Sequence, residues 1–311
     1  MLAVPPIPGW NRRAEADETG QTELLDHDGH PRDYAELREQ VGDRFVSHLG
    51  ADVWDLKYQR CMEAITRLGH DVKSLEPDLL LIIGDDQDEL FSSRNNPSIA
   101  ISYASSVRSA GSEDEGDGSV FRRGMGMDGT TYPADPEAAL HLIRQLVETG
   151  FDIATLGGLE DKTGFGHAFT WVLGRLLDGT PIPTVPILLN TYFPPNQPTP
   201  KRCLEFGRVL RDACRSLPGN RRIVVIASGG LSHFVVNAEL DQAVLEAIRT
   251  HDVSALERLP ARLLNSGTSE IRNWIAMSGA SEGLTCRWIE YQSAYRTAAG
   301  TGCGLAFALL S

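Results

Sequence analysis

The sequence is poor in the features that mark secreted, disulfide-bonded or membrane proteins. Its five cysteines form an odd set without a C-x-x-C pair, which excludes a disulfide framework and a zinc knuckle and favours a reducing compartment. No apolar run approaches the roughly 18 residues of a membrane span. The first residues, Met1-Leu-Ala-Val-Pro-Pro6, lack the basic and apolar regions of a signal peptide. The chain is therefore expected to be soluble and cytoplasmic, with no membrane partner.

Positive charge is also scarce. The 29 Lys and Arg residues stand against 42 Asp and Glu residues, a net charge of −13, and they are not gathered into one segment. Such a chain repels a phosphate backbone, so nucleic acid is not an expected partner. With 311 residues, 41% of them hydrophobic and 23% charged, the composition is that of a globular protein. It excludes collagen, coiled coil and wholesale disorder.

Helical and strand patterns alternate along the chain. Four helical stretches each precede a short apolar run that is typical of a buried strand. The expected helices are residues 54–75, 136–148, 168–177 and 200–216, and the expected strands are residues 79–83, 151–155, 184–189 and 223–227. This alternation predicts an α/β fold, a single domain over residues 1–311. In it, a central, largely buried β-sheet is flanked by helices and the active site lies at the carboxyl ends of the strands.

The segment from about residue 103 to residue 129 is rich in Ser, Gly and acidic side chains, which predicts a long loop. A solvated insertion is favoured over an active-site lid. The segment contains Gly124-Met-Gly-Met-Asp-Gly129, which matches the G-x-G-x-x-G pattern of dinucleotide sites. Because no strand precedes it and no helix N-terminus follows it, the pattern is not expected to bind a cofactor phosphate.

Three polar side chains stand out at the predicted strand ends and helix starts. His233 closes Ser228-Gly-Gly-Leu-Ser-His233, where it either moves protons or caps the turn, and the local pattern leaves both open. Glu270 falls in the first turn of a predicted helix, where the helix dipole stabilises a carboxylate without any function. His167 opens another predicted helix, where its ring either packs or faces a pocket.

The order of several motifs resembles the class III extradiol ring-cleavage dioxygenases from one end of the chain to the other. The motifs are Gly84-Asp-Asp-Gln-x-Glu-x-Phe91, Gly166-His-Ala168, Asn190-Thr-Tyr-Phe-Pro-Pro195, Lys201-Arg-Cys203, Ser228-Gly-Gly-Leu-Ser-His233 and Gly267-x-x-Glu-x-x-Asn-Trp274. The resemblance implies ring cleavage of a catechol-like aromatic, of the protocatechuate or gallate type, by O2 at a non-haem Fe(II). It also implies a homo-oligomer and a small helical subunit as candidate protein partners.

The resemblance assigns a role to each of the polar residues. His233 falls on the catalytic acid/base, which takes a substrate proton and later returns one, and His167 falls on a histidine that lines the substrate pocket. Glu270 falls on the carboxylate ligand of the iron. Gln87 occupies the position of one histidine ligand, and the strand that carries the other would precede Met1. A glutamine oxygen is a weak ligand for Fe(II), so iron is expected to bind this chain weakly or not at all.

Two other functions remain open at this point. A metal-poor or inactive family member that acts as a binding or partner subunit is favoured by Gln87 and by the missing strand. A metal-independent hydrolase would use Ser232 or Ser228 with His233. Adjacent Ser and His residues on a turn rarely point at one another, and the sequence shows no third orienting acid.

Overall fold

The computed structural model describes residues 6–111, 124–158 and 163–311. The helices of this part of the chain are α1 (Pro6–Glu18), α2 (Tyr34–Val41), α3 (Ala51–Ser74), α4 (Pro136–Glu148), α5 (His167–Trp171), α6 (Pro200–Arg215), α7 (Ala238–Thr250), α8 (Val253–Glu257) and α9 (Ile271–Ala280). The strands are β1 (Leu24–Leu25), β2 (Pro31–Arg32), β3 (Leu79–Gly84), β4 (Ile99–Ser102), β5 (Ser106–Arg108), β6 (Thr131–Pro133), β7 (Ala154–Leu156), β8 (Thr184–Leu189), β9 (Ile223–Ala227), β10 (His233–Val235), β11 (Cys286–Tyr295) and β12 (Thr301–Leu310). Short 3-10 turns cover Val46–His48, Ala261–Leu263 and Ser266–Glu270, and a π turn covers Val172–Leu176.

The central sheet has five strands in the order β7-β4-β8-β3-β9. All neighbours are parallel except β4 and β8, which are antiparallel, so the sheet is mixed. Every residue of β3 and β8 is buried, which explains why both strands are continuous apolar runs. The sheet with its flanking helices confirms the predicted α/β class.

Helices cover both faces of this sheet, because successive side chains of a strand point to opposite sides. Leu79, Leu81 and Ile83 of β3 pack in a core shared with α4, α6 and α9. Leu80 and Ile82 pack in the second core, with α3 and α5. Full burial of one such side chain contributes about 1.5–3 kcal/mol.

A second sheet, of the order β10-β12-β11, was not anticipated from the sequence. Its strands β11 and β12 form a long antiparallel hairpin whose apolar and polar residues are mostly half-buried. Half-buried strands do not give the continuous apolar run by which β3 and β8 are recognised. The helices α1 and α2 were also missed, since the first fifty residues read as irregular.

The two sheets leave an open groove. Strand β9 is an edge strand in the described part of the chain, and each of its residues is only half-buried. Beyond Gly304, β12 pairs with β11 alone. A cavity of about 980 Å³ is lined by both β9 and residues 305–310 of β12. Two unpaired backbone edges with apolar side chains are a template for a further strand.

The helix predictions agree with the structure within a few residues. Residues 136–148 form α4 as predicted; α4 begins with Pro136, and the Asp135 side chain accepts a hydrogen bond from the backbone N of Ala138 (2.9 Å). Residues 54–75 and 200–216 correspond to α3 and α6. The stretch 168–177 is α5 followed by the π turn.

The strand predictions also hold. Residues 184–189 and 223–227 are β8 and β9, residues 79–83 lie in β3, and the strand predicted at 151–155 begins three residues later, as β7.

The predicted loop of about 103–129 is only partly irregular. Residues 112–123 lie outside the described residues. Within the remainder, β5 pairs with β6 and buries Val107, so the prediction of a loop without any element was wrong there. Burial of a single valine in a three-residue strand leaves no periodic signal in a polar segment. Among the described residues, no helix is both long and apolar enough to cross a membrane.

Candidate active site

The loop after β3 brings several acidic side chains to the carboxyl end of the central sheet. Asp86 accepts hydrogen bonds from the backbone N of Leu90 (2.8 Å) and of Phe91 (3.0 Å), which fixes the loop. Asp85 is 3% exposed, and its Oδ2 accepts a hydrogen bond from Gln87 Nε2 (2.9 Å). Burial, and then the charge of Glu270, raise the pKa of Asp85 to about 7. Asp85 belongs to the Gly84–Phe91 motif that the sequence analysis compared with the family.

The turn after β9 contacts the segment that carries Glu270. The backbone N of Gly230 donates a hydrogen bond to Glu270 Oε2. Gly229 has a φ of +131°, and a Cβ atom there would lie 2.8 Å from the same oxygen, so the turn requires glycine. Trp274 Nε1 donates to the carbonyl oxygen of Gly229 (3.0 Å). The Glu-x-x-Asn-Trp segment thus holds the Gly-Gly turn at the end of the sheet.

Glu270 itself is buried and lies just before α9. Its side chain makes no capping hydrogen bond to that helix and is directed to Gly230 instead. Stabilisation by the first turn of its own helix therefore does not account for its position.

His233 begins β10, at the edge of the same cavity. Its backbone N donates to Thr268 Oγ1 (2.9 Å), and its Nδ1 lies 2.9 Å from the carbonyl oxygen of Leu231. A carbonyl oxygen only accepts, so Nδ1 carries a hydrogen, and Nε2 is the ring nitrogen that Leu231 does not hold. Burial lowers the pKa of His233, but Cys303 and Glu270 outweigh it and raise the pKa to about 10. The ring is therefore protonated at neutral pH.

His167 begins α5 and lies against the loop after β3. Its Nδ1 is 3.0 Å from Glu89 Oε1. Burial lowers the pKa of His167, but the hydrogen bond and charge of Glu89 outweigh it and raise the pKa to about 9. The same ion pair lowers the pKa of Glu89 against the effect of burial. At neutral pH the two residues form a half-buried salt bridge that attaches α5 to the loop.

This pair predicts a pH-dependent loss of stability in Glu89→Gln. We expect a cost of about 1.5–3 kcal/mol at pH 6, the range for hydrogen bonds to charged groups. Because the pKa of His167 is raised, its stabilisation is complete below the ordinary value of about 6.5 and is lost as the pH rises through about 9. Because the pKa of Glu89 is lowered, the stabilisation also falls as the solution is acidified below about 4.5.

Urea unfolding at pH 6 and at pH 9.5 measures this difference. The exposed pair of Glu246 and Arg249 supplies the control: Glu246→Gln should cost less than about 0.5 kcal/mol at both pH values. An equal loss for Glu89→Gln at pH 6 and at pH 9.5 would contradict the role of the ion pair.

The four predicted site residues, Gln87, His167, His233 and Glu270, all line the cavity of about 980 Å³, and Asp85 lines it with them. They come from different strand ends and helix starts, which the fold brings together at the carboxyl end of the sheet, where the active site was expected. Tyr192, from the Asn190–Pro195 segment, lines the same cavity, and its hydroxyl lies 3.5 Å from Ser266 Oγ. An aromatic ring, two histidines and two carboxylates therefore face one space.

The donor groups of this cavity do not fit an iron site of two histidines and one carboxylate. Within the described residues, no three His, Cys, Asp or Glu side chains are placed to hold a metal ion. Gln87 donates its amide to Asp85, and His167 is paired with Glu89. Glu270 is the carboxylate left facing the cavity, with an imidazole pair missing around it.

The geometry required for a serine hydrolase is also lacking at Ser232, one of the two predicted serines. Ser232 Oγ donates a hydrogen bond to Asp241 Oδ2 (2.7 Å), and the serine is fully buried. The hydroxyl is therefore held by an aspartate instead of by His233.

Comparison with known proteins identifies the family. A family model described as the catalytic LigB subunit of aromatic ring-opening dioxygenase matches residues 55–306. The 2,3-dihydroxyphenylpropionate/2,3-dihydroxicinnamic acid 1,2-dioxygenase of Rhodococcus sp is 30% identical over 108 residues, 35% of this chain and 32% of that protein. The gallate dioxygenase of Pseudomonas putida is 28% identical over 162 residues, 47% of this chain and 46% of that protein.

The matched regions span about a third to a half of the length of these curated relatives. The family model, in contrast, matches most of the chain. The protein therefore belongs to the family of catalytic LigB subunits of aromatic ring-opening dioxygenases.

Proposed function

We propose that the chain is an extradiol-type dioxygenase that opens the ring of a catechol-like aromatic, of the protocatechuate or gallate type, with O2. The observation that carries this proposal is the convergence of His233, Glu270, His167 and Gln87 on one cavity at the carboxyl end of the sheet. Two relatives, a 2,3-dihydroxyphenylpropionate/2,3-dihydroxicinnamic acid 1,2-dioxygenase and a gallate dioxygenase, support the same reaction class.

His233 is the proposed proton-transfer group. Its Nδ1 is held by the carbonyl oxygen of Leu231, so the ring is fixed and Nε2 exchanges the proton. Since the pKa of His233 is raised to about 10, the imidazolium form is present at neutral pH and donates first, which reverses the order that the family resemblance implied. Neutral His233 then takes a proton back in a later step. The donor form is lost as the pH rises through about 10, so this step slows in strong base.

His167 and Tyr192 are the proposed substrate-positioning groups. Glu89 compensates the charge of protonated His167, so this ring offers the cavity a hydrogen-bond donor for a substrate oxygen. Tyr192 stacks edge-on with Phe193 (5.1 Å between ring centroids) and offers an aromatic wall. An aromatic diol matches this combination of a hydrogen-bond donor and an aromatic surface.

The family's reaction generally needs a non-haem iron, and the described residues provide an incomplete ligand set for it. Glu270 is the proposed carboxylate ligand, and Gln87 is the proposed weak one. The structure therefore also favours a second candidate, a metal-poor family member that binds an aromatic or a partner subunit without turnover. The missing imidazoles are the specific observation behind it.

Iron content and oxygen uptake separate the two candidates. We expect the chain, loaded anaerobically with Fe(II) and desalted, to retain well under one iron per chain and to show slow O2 uptake with protocatechuate or gallate. Glu270→Gln should remove the remaining iron while costing at most about 1 kcal/mol of stability. If O2 uptake stays at the background of iron-free buffer even in excess Fe(II), the binding-subunit function replaces the dioxygenase.

A further inference from the structure

We propose that Cys303 is a nucleophilic thiolate, paired with His233, that adds to quinones entering the cavity. The pairing follows from the second sheet. His233 of β10 and Cys303 of β12 are direct partners in the antiparallel register. Directly opposed residues have Cβ atoms about 4.5–5.5 Å apart on the same face. Both side chains line the cavity, and Cys303 is only half-buried.

A second cation lies beside the sulfur. Arg296 Nη1 is 4.0 Å from Cys303 Sγ. The guanidinium is buried and is fixed by Asp17, which accepts hydrogen bonds from Nε (2.6 Å) and Nη2 (2.9 Å). Because arginine stays charged in proteins, this neighbour favours the thiolate at every accessible pH.

The acidic groups nearby are engaged with other partners. Asp17 is paired with Arg296, and Asp241 accepts hydrogen bonds from Ser232 and from Tyr291 Oη (2.7 Å). Glu270 accepts from Gly230. Burial raises the pKa of the Cys303 thiol, but His233 and Arg296 outweigh it and lower the pKa to about 7.

The other four thiols provide an internal contrast. Burial raises the pKa of Cys61, Cys203 and Cys214 to about 12. Cys286 is half-buried like Cys303 and also lies in the second sheet, but its pKa is raised by burial. A cysteine is reactive in proportion to its thiolate fraction and its exposure, so Cys303 is the expected site of reaction.

The electrophile class rests on the proposed function, because an ortho-quinone is the two-electron oxidised form of a catechol and has the same shape. A sulfur lone pair forms the new C–S bond at a ring carbon, and the ring π electrons move to a carbonyl oxygen. The His233 imidazolium protonates that oxygen. The hydrogen on the substituted carbon leaves as a proton and protonates the second oxygen. The quinone is thereby reduced to a catechol thioether, and the protein gains the full mass of the quinone.

Two reagents test the proposal on the full chain at pH 7. Peptide mapping after brief iodoacetamide treatment should show Cys303 alkylated at least about tenfold faster than Cys286. Treatment with 4-methyl-1,2-benzoquinone should add one quinone mass, located at Cys303. Cys303→Ser should abolish both labels, the matched control Cys286→Ser should change neither, and His233→Gln should slow alkylation of Cys303.

Peptide mapping of the labelled wild-type protein locates the modified cysteine without any variant. The test therefore remains valid even if Cys303→Ser does not fold. If Cys303 is alkylated no faster than Cys286, the proposal that Cys303 is a reactive thiolate is wrong. Alkylation of Cys303 without a quinone adduct would overturn quinones as its electrophiles. Neither reaction requires ring cleavage, so a failure of the proposed dioxygenase activity is seen separately, in O2 uptake.

Discussion

Fusing an apolar strand that ends in Ser-His-Ser-Pro ahead of Met1, in a chain that also carries Gln87→His, is expected to raise the affinity for Fe(II) by about 100-fold or more. Each imidazole replaces a weak ligand or a water, and imidazole suits Fe(II) better than either. Glu270 already faces the cavity, and within the described residues no two further His, Cys, Asp or Glu side chains are placed to complete a metal site with it.

The groove between the sheets supplies the structural reason for the fusion. Within residues 6–111, 124–158 and 163–311, strand β9 has one unpaired edge, and β12 has another beyond Gly304. Both line the cavity with apolar side chains. A strand laid parallel to β9 would end beside the Gly229–Gly230 turn, which contacts Glu270. The terminal histidine would then reach the same space as the carboxylate.

Anaerobic Fe(II) titration followed by O2 uptake with catechols measures the effect. The same fusion ending in Ser-Ala-Ser-Pro, with Gln87→Ala, is the matched control. It should raise the melting temperature by filling the groove but leave iron affinity unchanged. Equal affinity in the two fusions would mean that the cavity has been reshaped away from metal binding, and the binding-subunit function would follow.

In the Ser-His-Ser-Pro fusion that also carries Gln87→His, the substitution His233→Phe is expected to lower ring-cleavage turnover by about 100-fold or more, the usual scale of general acid/base catalysis. The substitution leaves folding intact, because the main-chain hydrogen bonds between residue 233 and Thr268 do not use the ring. The readouts are steady-state O2 uptake and thermal unfolding. The exposed His70 provides the control, His70→Phe, which should retain activity.

The two steps of the proton transfer give a further readout for His233. With the histidine present, turnover should fall as the pH rises through about 10, because the imidazolium that donates first is lost. In His233→Phe this limb should disappear. A folded variant with near-normal turnover would show that His233 is not the proton-transfer group. Glu270 would then be the cavity residue that still has a proposed role.

The sequence predicted well what depends on local pattern. β3 and β8 are readable because burial on both faces demands unbroken apolar runs. His233 and Glu270 were recognisable because each belongs to a motif of glycine or capping residues whose order matches a known family. The Gly124–Gly129 pattern is followed by a strand, β6, and not by the helix N-terminus that a dinucleotide site needs.

What the sequence could not give are the pairings between distant residues. Cys303 and His233 are 70 positions apart and meet only because β10 and β12 share a register. Asp85 gains its raised pKa from burial and from Glu270, which lies far along the chain. His167 is held by Glu89 across the start of α5. None of these partners is adjacent in the chain, so no spacing rule signals them.

By itself the sequence determined the α/β class, the main strands and helices, and the family to which the chain belongs. Those follow from hydrophobic periodicity and from short motifs, which are properties of neighbouring residues. Only the tertiary structure decided which partners hold the side chains of the cavity and that, within the described residues, β9 and β12 leave open edges. Such features arise where separate elements pack together, and packing sets burial, charge proximity and hydrogen-bond partners.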